Sequence, residues 1–174
     1  MAQMNSRIER KKQGKTHLTK NDERYTPKSV VDYFGKFDYD PATTLEKAEE
    51  FGIKNYDTKE TDGLAADWTR YKRIWINPPF TLKPEFLTKA VETYEKTKAE
   101  IYYLCPIEYL TTAQFRALVK NCKIYIPTGR ISFFNGAPGG KNNNGSPAFG
   151  SIIIKISDDT SVEFIDIKLL RGDF

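Results

Sequence analysis

Histidine is nearly absent from this chain of 174 residues, with His17 the sole one. A single imidazole excludes a multi-histidine metal site and leaves no basis for a histidine-centred triad. Cysteine is scarce too. Cys105 and Cys122 lack metal-ligand spacing, and Cys105 lies in the strand-like run Ile101-Tyr102-Tyr103-Leu104-Cys105. Both read as buried, reduced thiols rather than a disulfide, and no metal is expected. No apolar run is long enough to cross a membrane and no signal peptide is visible, so a cytoplasmic location is expected. Internal repeats and a second-domain boundary are also missing.

What is present is a good supply of large side chains. Aromatic residues make up 13% of the chain, enough to fill the core of one domain. The net charge is +4 and unevenly spread: Arg7, Arg10, Lys11, Lys12, Lys15 and Lys20 face one acid, Glu9, in the first twenty residues. Residues 1–21 read as a mobile basic arm and residues 22–174 as the folded domain. The arm either tracks nucleic-acid phosphates or serves as a solubilising tail.

Local patterns place the elements. Thr26-Pro27 reads as a helix start, with Thr26 as N-cap, Val30, Val31 and Phe34 as the apolar stripe and Gly35 as the stop. Residues 37–40 suggest a short strand, and Thr43 or Thr44 caps a helix through about Phe51. Residues 53–56 suggest another strand and residues 62–68 a loop. Arg73-Ile74-Trp75-Ile76 reads as a buried strand. Pro84 opens an amphipathic helix bearing Phe86, Leu87, Ala90, Val91 and Tyr94. After the strand at residues 101–105, Thr111 or Thr112 caps a helix with Phe115, Leu118 and Val119. Residues 123–126, 131–134, 151–156 and 162–168 are strand-like, with Asp158 and Asp159 turning between the last two. The expectation is an α/β domain with a mostly parallel sheet and an antiparallel C-terminal hairpin. Residues 135–147, rich in Asn and Gly, are incompatible with regular structure. They read either as a loose connection or as a loop facing nucleic acid, through Lys141, Asn142 and Asn143.

The most informative feature is Asn77-Pro78-Pro79-Phe80, directly after the buried strand. Open α/β sheets bind ligands at strand C-terminal ends, and this turn offers an amide carbonyl, backbone carbonyls and a flat apolar ring. It resembles the (Asn/Asp/Ser)-Pro-Pro-aromatic turn of enzymes that methylate amino nitrogens with S-adenosylmethionine. The chemistry accounts for the residue types. The N6 lone pair of adenine is delocalised into the ring, so N6 is a poor nucleophile. Two acceptors, Asn77 Oδ1 and the Pro78 carbonyl, taking the N6 hydrogens push the nitrogen towards a tetrahedral arrangement. Orientation and placed hydrogen bonds then replace a strong base. Phe80 supplies a face for a base flipped out of the helix.

Further motifs fall in order. They are Asp22-Glu23-Arg24-Tyr25-Thr26-Pro27, Phe37-Asp38-Tyr39-Asp40-Pro41-Ala42, Asp62-Gly63-Leu64 with Asp67-Trp68, the Asn77 turn, and Gly129-Arg130-Ile131-Ser132-Phe133. Over residues 22–156 the chain resembles the short, phage-type Dam DNA N6-adenine methyltransferases. The resemblance implies a single Rossmann-like domain using S-adenosylmethionine, acting on double-stranded DNA with the target adenine flipped out. It further implies a phage or prophage protein that modifies phage DNA against host restriction in the host cytoplasm, with a monomer favoured. Asn77, Pro78, Pro79 and Phe80 would form the catalytic turn. Tyr25, Thr26 and Pro27 would hold the methionine end of the cofactor, with the new helix N-terminus facing its carboxylate; Asp40, in the cofactor motif with Pro41 and Ala42, would accept from its amino group, and Asp62 and Leu64 would meet its adenine. Glu46, Glu49, Glu50 and Asp57 are all candidates for the ribose acid. Arg130, Lys141, Asn142, Asn143, Lys11 and Lys12 are candidate nucleic-acid contacts, Arg130 alternatively pairing with an internal acid. Phe80 replaces the more frequent Tyr, Tyr25 stands at a usual Trp, and the Asp40 motif lacks the glycines of a fuller cofactor loop. Alternative readings are RNA adenine methylation, glutamine-amide methylation of protein, and a non-catalytic DNA- or protein-binding module.

Overall fold

The computed structural model describes residues 24–135 and 149–172. In chain order the elements are β1 (Arg24–Tyr25), α1 (Lys28–Tyr33), β2 (Tyr39–Asp40), α2 (Leu45–Phe51), β3 (Asn55–Tyr56), β4 (Arg73–Ile76), α3 (Lys83–Thr97), β5 (Glu100–Pro106), α4 (Ala113–Leu118), β6 (Cys122–Pro127), β7 (Phe134–Asn135), β8 (Ser151–Ile156), β9 (Ser161–Ile165) and α5 (Ile167–Arg171). Short 3-10 turns follow Pro78-Pro79 at Phe80–Leu82 and follow β5 at Ile107–Thr111.

Seven strands form one sheet in the order β3-β2-β4-β5-β8-β6-β9, while β1 and β7 pair separately. Every pairing in the larger sheet is parallel except those of β8, which runs antiparallel to both β5 and β6. The expected C-terminal hairpin is therefore corrected. β8 and β9 are consecutive in sequence but not neighbours; β9 crosses to the far side of β6 and pairs with it in parallel. The expected strand at residues 162–168 also stops at Ile165. Asp166 caps α5 there, accepting from the Lys168 amide at 2.9 Å. Of the strand expected at residues 131–134, only Phe134 pairs, and it pairs with Tyr25 of β1 rather than with the main sheet.

Period-two alternation divides the strand side chains between two cores. Ile74, Ile76, Ile101, Tyr103, Ile152 and Ile154 pack under α3 and α4 with Phe86, Leu87 and Phe115. Trp75, Tyr102, Leu104 and Ile153 pack on the other face with Val30 and Val31 of α1 and Leu170 of α5. Caps resolve the two open choices: Thr44 caps α2, accepting from the Lys47 amide at 3.3 Å, and Thr112 caps α4, accepting from the Phe115 amide at 3.1 Å. Thr26, in contrast, is not a cap. Pro27 takes the N-cap position of α1, with no side-chain capping bond. Gly35 ends the α1 turn at φ +92°, where a Cβ would lie 3.0 Å from Arg73.

Candidate active site

The chain leaves β2, forms β3 on one side of it, then returns as β4 on the other side. Strand order reverses there, and open sheets bind ligands at the strand C-terminal ends flanking such a reversal. A cavity of about 410 Å³ lies at that place. Asp40 and Pro41 from the end of β2 and Asn77 and Pro79 from the end of β4 line it. One side is closed by Tyr25, Thr26, Lys47 and Phe51, the other by Thr58, Lys59, Asp62, Leu64, Leu82 and Phe86.

Asp40 is 2% exposed. Its Oδ1 accepts from the Ala42 amide at 3.0 Å, which fixes the Asp40-Pro41-Ala42 turn. Burial pushes its carboxyl up to about 7, against the downward pull of the Ala42 amide and the Thr43 hydroxyl. A carboxylate in that state gains from a cationic ligand.

The loop carrying Asp62 is held by its own motif. A Cβ on Gly63 would sit 1.9 Å from the Pro41 carbonyl oxygen, so only glycine allows the loop to close on the β2 turn. Trp68, 1% exposed, donates its indole N–H to the Gly63 carbonyl at 2.8 Å and stacks on Phe86. Lys89 from α3 donates to the Leu64 and Ala66 carbonyls. Asp62 has φ +58°, a left-handed conformation uncommon outside glycine, and its Oδ1 accepts from the Leu64 amide at 3.1 Å. Its carboxylate stays exposed at the cavity edge.

Asn77 stands where two cavities meet. Its Nδ2 donates to Thr26 Oγ1 at 3.0 Å, and Thr26 is 2% exposed. That bond ties the amide nitrogen to the β1–α1 segment and so sets the orientation of the amide. Beyond Asn77 a second, much smaller cavity of about 20 Å³ is lined by Pro78, Phe80, Lys83, Leu104, Phe133 and Phe149, among others. Phe80 packs edge-to-face on Phe149 at 5.4 Å, with the Lys83 ammonium 4.3 Å from its ring centroid. A space of that size holds about one water; a planar base enters only if the two rings part.

The sequence-derived cofactor residues thus converge, with one exception. Tyr25, Thr26, Asp40, Pro41, Ala42, Asp62 and Leu64 line the large cavity and Pro27 does not. None of the four ribose-acid candidates lines it. Glu50 is paired with Lys47 at 2.7 Å, and Asp57 accepts from the Tyr39 hydroxyl. Arg130 is exposed in the turn after β6 and lines neither cavity. Lys11, Lys12, Lys141, Asn142 and Asn143 lie outside the described residues. Sequence reasoning missed Lys47, Phe51, Thr58, Lys59 and Trp75 in the large cavity and Lys83 and Phe149 in the small one. The Lys47 signal is masked because a lysine on a short helix ordinarily reads as solvated.

An open, largely parallel sheet with a cavity at its strand-order reversal is the arrangement in which α/β proteins commonly bind small ligands. Comparison with known proteins makes this specific. The family model described as DNA N-6-adenine-methyltransferase (Dam) matches residues 13–164. A DNA N-6-adenine-methyltransferase of Escherichia phage T1 is 27% identical over 165 residues, covering 82% of this chain and 67% of the relative. One of Haemophilus phage HP1 (strain HP1c1) is 32% identical over 111 residues, covering 62% of this chain and 61% of the relative. The chain belongs to the Dam family of DNA N6-adenine methyltransferases. No solved structure matches it.

Proposed function

We propose that this chain carries out its family's reaction as a Rossmann-like domain that takes S-adenosylmethionine into the large cavity and adenine against the Asn77 turn. The strand order and the position of the cavity support the Rossmann-like reading. The residues present fit the cofactor. Asp40 is a buried carboxylate suited to a cationic ligand, and the Trp75 indole N–H, buried at the cavity, lacks a hydrogen-bond partner among the described residues. S-adenosylmethionine, when bound, supplies an electrophilic methyl group on a sulfonium.

The chain's own residues do the rest by orientation. Thr26 accepts from the amide nitrogen of Asn77, and Oδ1 is the end that would accept an N6 hydrogen. The Pro78 carbonyl accepts the other, and N6 is pushed towards a tetrahedral arrangement with its lone pair directed at the large cavity. Phe80 gives up Phe149 as its partner and stacks on the flipped base, returning roughly 1–3 kcal/mol of the unstacking energy. Asp62 and Leu64 would meet the cofactor's adenine, and Asp40 its amino group. Arg130 follows β6, which runs parallel to β4, so it lies at the same end of the sheet as Asn77 and suits contact with DNA phosphate.

The observation that carries this reading is the Asn77 amide fixed by Thr26 between the two cavities. Both matched relatives come from phages, which supports a phage or prophage origin and a role in protecting phage DNA from host restriction. The test is incubation with methyl-labelled cofactor and separate duplex DNA, RNA and protein substrates, followed by nucleoside analysis. Label in N6-methyldeoxyadenosine is expected. Label confined to RNA or protein would replace the substrate, and no transfer to any of them would overturn the catalytic reading.

A further inference from the structure

Lys47 is a buried lysine that the mechanism above leaves without a task. It is 4% exposed, in the middle of the short helix α2, and its ammonium faces the large cavity's wall of Tyr25 and Phe51. The Nζ lies 2.7 Å from Glu50 Oε2, 3.5 Å from the Thr26 carbonyl oxygen, and 5.7 and 5.5 Å from the Tyr25 and Phe51 ring centroids. Stability alone gives little reason to keep such a pair. Desolvating an ammonium and a carboxylate offsets most of their attraction, and apolar replacements are often as stable.

A second observation points to a ligand. Trp75, fully buried on β4, lines the same cavity, and its indole N–H has no hydrogen-bond partner among the described residues. Buried donors are normally satisfied, and an orphan beside a cavity calls for an acceptor. Lys47 and Trp75 both belong to the cavity's side of the sheet where α1 and α2 pack: Phe51 of α2 sits against the same core cluster as Trp75. Two donors, one of them cationic, suit a carboxylate. The buried Asp40 carboxyl lies in the same cavity and suits an ammonium. Together they complement a zwitterion.

We infer that Lys47 and the Trp75 indole form the subsite for the carboxylate of the ligand's amino-acid end, with Glu50 holding the lysine in place. The inference rests on the cofactor reading of the cavity and assigns to Lys47 a role that Pro27 and the start of α1 do not fill. Pro27 is outside the cavity wall and α1 is a helix of only 6 residues.

The test pairs two probes, S-adenosylhomocysteine and 5′-methylthioadenosine, which shares the adenine, ribose and sulfur but lacks the amino-acid end. Binding is measured by calorimetry on the full chain. Lys47→Met is expected to weaken S-adenosylhomocysteine by about 10- to 100-fold and to leave 5′-methylthioadenosine within about twofold. Equal losses on both probes, or none on either, would overturn the assignment. Because Lys47 is buried, a ligand-side change on the unaltered protein guards against a misfolded variant. The methyl ester of S-adenosylhomocysteine keeps the ammonium and removes the carboxylate charge; it is expected to bind about 10- to 100-fold more weakly than the parent. An ester bound as tightly as the parent overturns the subsite. Unaltered protein that binds neither probe overturns the cofactor reading itself, and this inference with it.

Discussion

In the proposed reaction Asn77 acts through the direction of its amide, so its neighbour Thr26 matters alongside it. Replacing Asn77 with Ala removes one of two acceptors and is expected to raise the barrier by about 3–4 kcal/mol with the fold retained. Thr26→Val removes only the oxygen that holds Nδ2. It is expected to lower kcat by roughly 2- to 10-fold, the worth of one neutral hydrogen bond, with S-adenosylhomocysteine affinity kept. Thr26→Ser should restore turnover. A Val variant with full kcat, or one that loses cofactor binding instead, would return Thr26 to a pocket-lining role.

Asp40 gives a pH prediction at the same scale. Its carboxyl is pushed up to about 7 by burial, while the unfolded chain should lose that proton near the ordinary value of about 4. Between those values the folded state holds more protons. The contribution of Asp40 to stability is therefore fully present below about pH 4 and is lost as pH rises through about 7. A cationic ligand favours the ionised carboxylate, so S-adenosylmethionine should bind more tightly as pH rises through that region and should release a proton. Calorimetry in buffers of different ionisation enthalpy reads that release directly. Asp40→Asn should flatten the pH dependence; if the release persists in the variant, another group carries it.

At the scale of elements, the loop between β3 and β4 is a wall rather than a spacer. Gly63 against the Pro41 carbonyl, the Trp68 bond to the Gly63 carbonyl and the Lys89 bonds to the Leu64 and Ala66 carbonyls hold Asp62 and Leu64 at the cavity. This explains the spacing of the Asp62-Gly63-Leu64 and Asp67-Trp68 motif: the indole must reach back to Gly63. The atom that a Cβ on Gly63 would strike is backbone, which cannot swing aside. Gly63→Ala is expected to destabilise the fold by roughly 1–3 kcal/mol and to weaken S-adenosylhomocysteine binding. Unfolding curves and binding isotherms both unchanged would show that the loop does not need its close approach to Pro41.

At the scale of the molecule, the parallel strands end where the two cavities lie, and the sheet's opposite end is tied by an ion-pair network. Arg73 and Lys155 both reach Glu100 there. The first twenty residues, with six basic side chains against one acid, carry the whole of the chain's +4 excess and favour a polyanionic partner; the other residues together are close to neutral. Deleting residues 1–20 is expected to preserve cofactor binding, weaken DNA binding and flatten its salt dependence. The log–log slope should fall by roughly 0.9 for each duplex phosphate that the arm no longer neutralises. An unchanged slope would assign the arm to solubility and move the search for phosphate-binding side chains to Arg130 and Lys141.

Sequence by itself placed most of the helices and the buried strands and marked the Asn77 turn. A threonine cap at residues 43–44 and at 111–112, the Gly35 stop and the apolar runs of β4, β5 and β8 are local signals, set by backbone geometry within a few residues. The Asn77-Pro78-Pro79-Phe80 turn is equally local, which is why it stands out before any fold. Tertiary structure alone decided which strands are neighbours. The run Ile152-Ile153-Ile154 with Ile156 states that β8 is buried, but nothing in it states that it lies between β5 and β6 and sends β9 beyond them. It also decided the company each site residue keeps. Thr26 reads as a cap because Ser, Thr and Pro favour helix starts, yet its hydroxyl is taken by Asn77 from 51 positions away. Nothing in the sequence singles out Lys47, a lysine on a short helix. Only the closing of β1, α2 and β4 around one cavity buries it beside Trp75, and long-range packing of that kind leaves no periodic trace in the chain.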